Sequence, residues 1–270
     1  MTRRIEPGLL FFAFLLVFLL AGCKQSMTSG SGAASASGQA GRAVLNVGVT
    51  ANAPPFVFKQ DRKLTGLEVS FAMQLGRYLN KEINFVEVPW EKHFDYLKDG
   101  RTDIIMSGMT ITEQRSYVVD FTKPYMRSGQ IMLVRMEDRS RFAGGINSVL
   151  NTNYRLGTVA NTVSDYFVTS VINGANEVVF QAPEDALSAL TKNEIDAFIY
   201  DAPVLCYFAA QNQQDKLTPI LEMGTEEYLG WAVRKGDVEL LAGANSFMDS
   251  LQADGRLQEE IKRWIPYLYR

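Results

Sequence analysis

Short β-rich runs and helical patterns alternate along this chain from Ala43 onward, and the series is run through twice. No other feature limits the fold as much. In the first series Val44 to Val49 reads as a strand, and Glu68 to Leu79 as a helix with Phe71, Leu75 and Leu79 on one face. Asn84 to Val88 reads as a strand, Trp90 to Leu97 as a helix ended by Asp99-Gly100, and Ile104 to Met106 as a buried strand. An extended run, Gln130 to Met136, leads to the restart. Strands at Tyr154 to Val159, Glu177 to Phe180 and Ala197 to Tyr200 then alternate with helices at Val163 to Val171, Pro183 to Leu190 and Ala202 to Gln211. A second extended run, Tyr228 to Val233, precedes two tail helices, Val238 to Gln252 and Leu257 to Trp264. This βαβα order predicts mostly parallel sheets with helices on both faces. Two α/β lobes joined by two extended crossings is the economical arrangement, and the chain is long enough for two cores.

The N-terminus is of another kind. Arg3 and Arg4 precede an apolar run from Leu9 to Leu20, shorter than the ~20 apolar residues a membrane span needs. A basic start, an apolar core and small residues at the end describe a secretory signal. It closes on Leu20-Ala21-Gly22-Cys23, which resembles a bacterial lipobox, with cleavage before Cys23 and a lipid on its thiol. An ordinary signal peptide that ends near a cysteine is the alternative. From about Gln25 to Gly41 the chain is Ser, Gly and Ala with little charge, which suits a flexible tether. The layout expected is a signal at 1–22, a tether at 23–42, lobe one at 43–132 plus 229–270, and lobe two at 133–228. The mature protein is expected to be extracytoplasmic, lipid-anchored and monomeric.

Charge is nearly balanced, with 27 Lys and Arg against 30 Asp and Glu. That argues against nucleic acid as a partner. Cys206, in the apolar stretch Val204 to Ala210, reads as a small packed hydrophobe. The single histidine, His93, lies in a polar helical segment and reads as exposed. No His and Cys cluster suits a metal, and no cofactor is expected.

The chemistry concentrates after the strand at Ile104. The chain breaks at Gly108, and Thr112 stands at the N-cap of a helix with Glu113 and Arg115 in its first turn. Backbone N–H groups and the helix dipole favour an anion there, and Arg115 adds a two-pronged donor. Two readings fit this pattern: a carboxylate site, or a structural Arg115 paired with a local acid such as Glu113.

The string Ser107-Gly108-Met109-Thr110-Ile111-Thr112, then Arg115, then Val119-Asp120-Phe121-Thr122 and Pro124-Tyr125 resembles the signature of bacterial extracellular solute-binding proteins, family 3. These are the substrate-binding proteins of polar amino acid ABC importers. The resemblance extends over most of the chain after residue 43. It implies a two-lobed α/β fold of the type II periplasmic-binding-protein kind, with the ligand in the cleft and hinge strands at the crossings. It implies that Arg115 grips the ligand α-carboxylate, with donors at Gly108 and Thr110 completing the cradle. Ala53-Pro54-Pro55-Phe56, with Gly66 and Glu68 after it, resembles the family's first wall. Phe56 is there a wall residue or a core phenylalanine, and Ala53 stands where an aromatic is common. Trp90 matches the opposing wall, with plain core packing as the alternative. Gly157 to Val163 resembles the second lobe's carboxylate contact, through Thr162 and the Val163 N–H, although Asn161 replaces a common glycine and Thr162 also suits a plain helix cap. Asp196-Ala197 through Asp201-Ala202-Pro203 matches the segment whose aspartate accepts the ligand ammonium, a role for Asp201 beside simple N-capping.

The function this implies is capture of an amino acid and delivery to an ABC permease, with no catalytic residue. The alternatives are a cyclohexadienyl or arogenate dehydratase-like enzyme, with Asp201 and Glu68 as acids near the site, or a ligand-sensing adaptor for a separate receptor. Thr50 and Val159 are neutral where relatives often carry charge, which points to an uncharged or apolar ligand side chain, with Tyr200 offering one hydrogen bond.

Overall fold

In a computed structural model, residues 43–172 and 174–269 are described. The expected signal, Cys23 and the tether lie outside the described residues. The first lobe opens with β1 (Val44–Val49), whose Leu45, Val47 and Val49 alternate into the core. A small antiparallel meander follows: β2 (Asn52–Ala53), β3 (Val57–Gln60) and β4 (Lys63–Thr65). Then come α1 (Leu67–Tyr78), β5 (Glu82–Glu87), α2 (His93–Lys98) and β6 (Ile104–Ile105). A short α3 (Glu113–Ser116), β7 (Val119–Phe121) and β8 (Met126–Ser128) complete the first passage.

The second passage is β9 (Gln130–Arg135), β10 (Arg155–Val159), α4 (Val163–Val171), β11 (Asn176–Phe180) and α5 (Pro183–Thr191). It ends with β12 (Ala197–Asp201), α6 (Ala202–Gln211), β13 (Leu217–Ile220) and β14 (Glu227–Leu229). The chain returns through β15 (Ala232–Arg234), α7 (Val238–Ala253) and α8 (Arg256–Trp264).

Each passage builds one five-stranded sheet, ordered β5-β1-β6-β15-β7 and β11-β10-β12-β9-β13. In each, a single strand runs against the rest: β15 pairs antiparallel with β6 and β7, and β9 with β12 and β13. These reversed strands are the ones that follow the crossings. β8 and β14 pair antiparallel with each other, so the chain leaves and returns through one two-stranded ribbon. The fold is thus the expected two-lobed α/β architecture.

Three local expectations are corrected. The run from Tyr228 to Val233 is not one strand: it breaks at Gly230 and Trp231 between β14 and β15. The Pro-Pro loop is a three-stranded meander, which the short runs around the prolines conceal. Trp90 to Leu97 begins as a 3-10 turn, Trp90–Lys92, before α2.

The largest wholly buried side chain is Trp231, and Phe71, Tyr125 and Phe247 ring it at centroid distances of 5.7, 6.0 and 6.1 Å. Such pairs add about 0.5–1.5 kcal/mol each beyond their buried area. The tail does more than return to the first lobe. Tyr267 donates its hydroxyl to the Pro203 carbonyl at the start of α6, and Phe58 packs on both Tyr207 and Trp264.

The start of α1 is set by the meander. Leu67 and Glu68 donate their N–H groups to the carbonyls of Pro55 and Phe56 at 2.9 and 3.1 Å. Gly66 allows this approach: its φ is +127°, and a Cβ would stand 2.1 Å from the Phe56 carbonyl oxygen. Gly66→Ala is therefore expected to lower unfolding free energy by more than about 2 kcal/mol, read as a lower urea midpoint.

Candidate functional site

After β6 the backbone turns at Gly108, with φ +67° and the Phe56 ring 2.9 Å from where a Cβ would be. The Gly108 N–H donates to Glu68 Oε2 at 2.6 Å. That N–H is thus already engaged inside the protein, which corrects the expectation of a free donor at Gly108. Thr110 bridges to Leu229 in β14, and its hydroxyl donates to Glu227 Oε2 at 2.9 Å. Thr112 caps α3 as expected, accepting from the Arg115 N–H at 3.2 Å.

Arg115 extends back into the cleft. Its Nη1 donates to the Thr110 carbonyl at 3.0 Å, and its guanidinium lies 5.3 Å from the Trp90 ring centroid. Glu113 is turned elsewhere, accepting from the Tyr117 hydroxyl at 2.8 Å. Among the described residues Arg115 makes no ion pair. The reading of a structural Arg115–Glu113 pair is therefore set aside. Burial lowers the Arg115 pKa, and the fields of Asp201, Glu227 and Tyr200 oppose that.

Asp201 ends β12 on the facing side. It occupies the N-cap position of α6, yet its side chain makes no capping bond. Instead Oδ1 accepts from Gln130 Nε2 at 2.6 Å, and the same nitrogen donates to Glu227 Oε1 at 3.0 Å. Thr225 also donates to Glu227 Oε1, at 2.6 Å. One carboxamide thus bridges two carboxyl groups. Burial pushes the Asp201 carboxyl up to about 7, helped by Glu227 and opposed by the Gln130 bond and Arg115.

In the second lobe, Asn161 adopts φ +60°, a left-handed conformation that asparagine tolerates better than most residues other than glycine. The Thr162 hydroxyl is not a cap: it donates to the Val159 carbonyl at 2.6 Å and lies 2.8 Å from the Ser164 hydroxyl. Its preceding backbone turn draws the hydroxyl back under the loop. The Trp90 indole N–H reaches over from the first lobe to the Asn161 carbonyl at 2.9 Å.

All eight residues expected at a ligand site, Phe56, Trp90, Gly108, Thr110, Arg115, Thr162, Val163 and Asp201, line one cleft of about 530 Å³ counting its open mouth. Asn52, Ser107, Gln181 and Pro183 line it too and were missed by sequence reading. So were Gln130 and Glu227 behind it. A glutamate opening the second extended run, in the register of a buried strand, was the available signal.

Two groups lie behind the cleft wall. Glu68 is fully buried against Gly108 rather than exposed to the cleft, and burial pushes its carboxyl up to about 7 against the influence of Tyr125, Gly108 and Trp231. His93 is fully buried, which overturns the exposed reading. Gly48 in β1 leaves room for its ring; a Cβ there would stand 3.4 Å from Nδ1. The Thr50 hydroxyl gives its proton to the Val88 carbonyl at 2.8 Å, so His93 Nε2, 2.8 Å from that hydroxyl, is the donor. The ring is neutral: burial, then Arg115, bring its pKa down to about 4. No group of His, Cys, Asp and Glu among the described residues is arranged to hold a metal ion.

Residues 45–267 match the model of the bacterial extracellular solute-binding proteins, family 3. The L-cystine-binding protein TcyJ of Escherichia coli K12 is 28% identical over 226 residues, covering 83% of each chain. Among solved structures, an ancestral amino acid-binding protein, a precursor of cyclohexadienyl dehydratase, superposes with a TM-score of 0.76 at 30% identity, over 82% of this chain and 95% of that one. An ancestral arginine-binding protein bound to arginine gives 0.75 at 28% identity, over 83% and 98%.

The raised Asp201 pKa has a definite sign in stability. Folding keeps its proton where the unfolded chain has lost it, so this group's contribution is complete below about pH 4 and is lost as pH rises to about 7. In Asp201→Asn that loss is absent. The Tm of the variant relative to the parent, both free of ligand, is expected to climb between pH 4 and pH 7.

Proposed function

The chain belongs to the bacterial extracellular solute-binding proteins of family 3, and on that premise we propose that it captures an α-amino acid between its lobes and delivers it to an ABC permease. The observation that carries this reading is a guanidinium without an ion-pair partner, Arg115, sharing one cleft with the Asp201 carboxyl across the lobes. A cation for a carboxylate and an anion for an ammonium make a zwitterion site.

In this reading Arg115 holds the ligand carboxylate in a cradle lined by Gly108, Thr110 and Thr162, with the Thr110 and Val163 N–H groups as further donors. Gly108 and Thr162 supply shape rather than donors, since the Gly108 N–H is taken by Glu68 and the Thr162 hydroxyl proton by Val159. Asp201 accepts the ammonium, and the added positive charge draws it to the ionised form. Phe56 and Trp90 form walls. The ligand favours the closed arrangement because contacts to both lobes exist together only there. The permease reads that arrangement.

The layout proposed with it is a signal at 1–22 and a tether at 23–42 with lipid on Cys23. Lobe one is 43–129 plus 229–270 and lobe two 130–228, the first junction moved back from 132 because β9 lies wholly in the second sheet. The protein acts as a monomer. It binds rather than converts: Glu68, one of the two acids a dehydratase reading would use, lies behind Gly108, and Asp201 is already bonded to Gln130.

A charge-assisted hydrogen bond contributes about 1.5–3 kcal/mol, and Arg115 offers two with one carboxylate. Arg115→Ala is expected to weaken the preferred amino acid at least about 100-fold by titration calorimetry. Affinity unchanged in this variant would sink the zwitterion assignment.

A further inference from the structure

Most polar groups on the cleft wall are already committed. The Thr50 hydroxyl serves Val88 and His93, the Thr110 hydroxyl serves Glu227, and the Thr162 hydroxyl serves Val159. Ser107 Oγ accepts from the Thr50 N–H at 2.9 Å. In the amino-acid reading Arg115 and Asp201 take the ligand's two backbone charges. Besides the Ser107 hydroxyl proton, three polar side chains then remain on the wall: the carboxamides of Asn52 and Gln181 and the hydroxyl of Tyr200. None of the three makes a side-chain hydrogen bond to the protein among the described residues.

Their placement matters as much as their freedom. Asn52 comes from β2 in the first lobe, while Gln181 precedes α5 in the second. α5 lies against β2, so the two carboxamides bracket the cleft from both lobes. Tyr200, from β12, is buried and stacked on Phe198 at 5.5 Å, which fixes its ring.

The same wall offers no second charge. Glu227 is buried behind it and bonded by Thr110, Gln130 and Thr225. His93 is neutral behind Thr50. A ligand side chain carrying full charge would be desolvated here without a counter-ion. One face of the Trp90 ring already carries Arg115, 5.3 Å from its centroid, and Ala53 adds no ring of its own. A wholly apolar side chain would strip water from the two carboxamides without replacing its hydrogen bonds.

We propose that the cleft selects an amino acid whose side chain is uncharged and hydrogen-bonding, a carboxamide or a hydroxyl, read by Asn52 and Gln181 from opposite lobes. A carboxamide both donates and accepts, and so pairs with another carboxamide or a hydroxyl while leaving a charge uncompensated. The inference rests on the amino-acid reading above and goes beyond it to the side-chain class.

The test is titration calorimetry of the dialysed chain with glutamine, asparagine, serine and threonine against arginine, lysine, glutamate and methionine. At least one of the first four is expected to bind about tenfold or more tighter than every one of the second four. Asn52→Ala and Gln181→Ala, checked for native circular dichroism, are each expected to shrink the ratio of glutamine to methionine affinity at least about fivefold. Asn52→Asp supplies the missing charge and is expected to shift the preference toward lysine and arginine. Parent binding of arginine, lysine or glutamate as tight as any uncharged ligand overturns the side-chain inference and leaves the amino-acid reading standing. So does an unchanged glutamine-to-methionine ratio in both alanine variants. If none of the eight binds, both fall.

Discussion

The antiparallel β8–β14 ribbon is the constraint on which the rest of this structure depends. Because the chain crosses between lobes twice at one place, the strand after each crossing enters its sheet against the direction of its neighbours. The ribbon also lies against the cleft wall. Thr110 bridges to Leu229, and Glu227 accepts the Thr110 hydroxyl while Gln130, just past the other ribbon strand, donates to both Glu227 and Asp201. Gly129 makes this approach possible, since a Cβ there would lie 2.4 Å from the Thr225 carbonyl oxygen. A change at the cleft therefore meets the hinge through hydrogen bonds one residue long.

Electrostatics explains why so polar a centre is tolerated. Buried carboxyl groups favour their protonated forms unless compensated. Here Glu227 is held by three donors, Asp201 by one, and Glu68 by the Gly108 N–H. Asp201 and Glu68 have one donor each, and of the two only Asp201 lines the cleft. An ammonium there would relieve that deficit, and a carboxylate would do the same for Arg115. The network is thus incomplete at the two groups to which the proposed function assigns a zwitterion.

Much of the architecture was legible in the sequence because the periodic runs were long. Helices α4 and α6 begin and end where the apolar pattern does. The cleft-lining set was legible for a different reason: short strings around Arg115 and Asp201 resemble a family signature, and a signature carries positions that fold together. His93 was misread because its segment is polar on average, while its ring faces β1 through the space left at Gly48. Thr162 holds the N-cap position of α4 without a capping bond, because its hydroxyl turns to donate to the Val159 carbonyl.

The sequence by itself determined the alternation of strands and helices, the two lobes and the wall residues Arg115 and Asp201, since these follow from local periodicity and short motifs. Tertiary structure decided what each polar group is bonded to. Gln130, Glu227, Asn52 and Gln181 lie in four separate segments, and no local pattern relates them. Only the folded chain shows that the first two are spent on each other and on Asp201 while the last two stay free, because hydrogen bonds form between neighbours in space rather than in sequence.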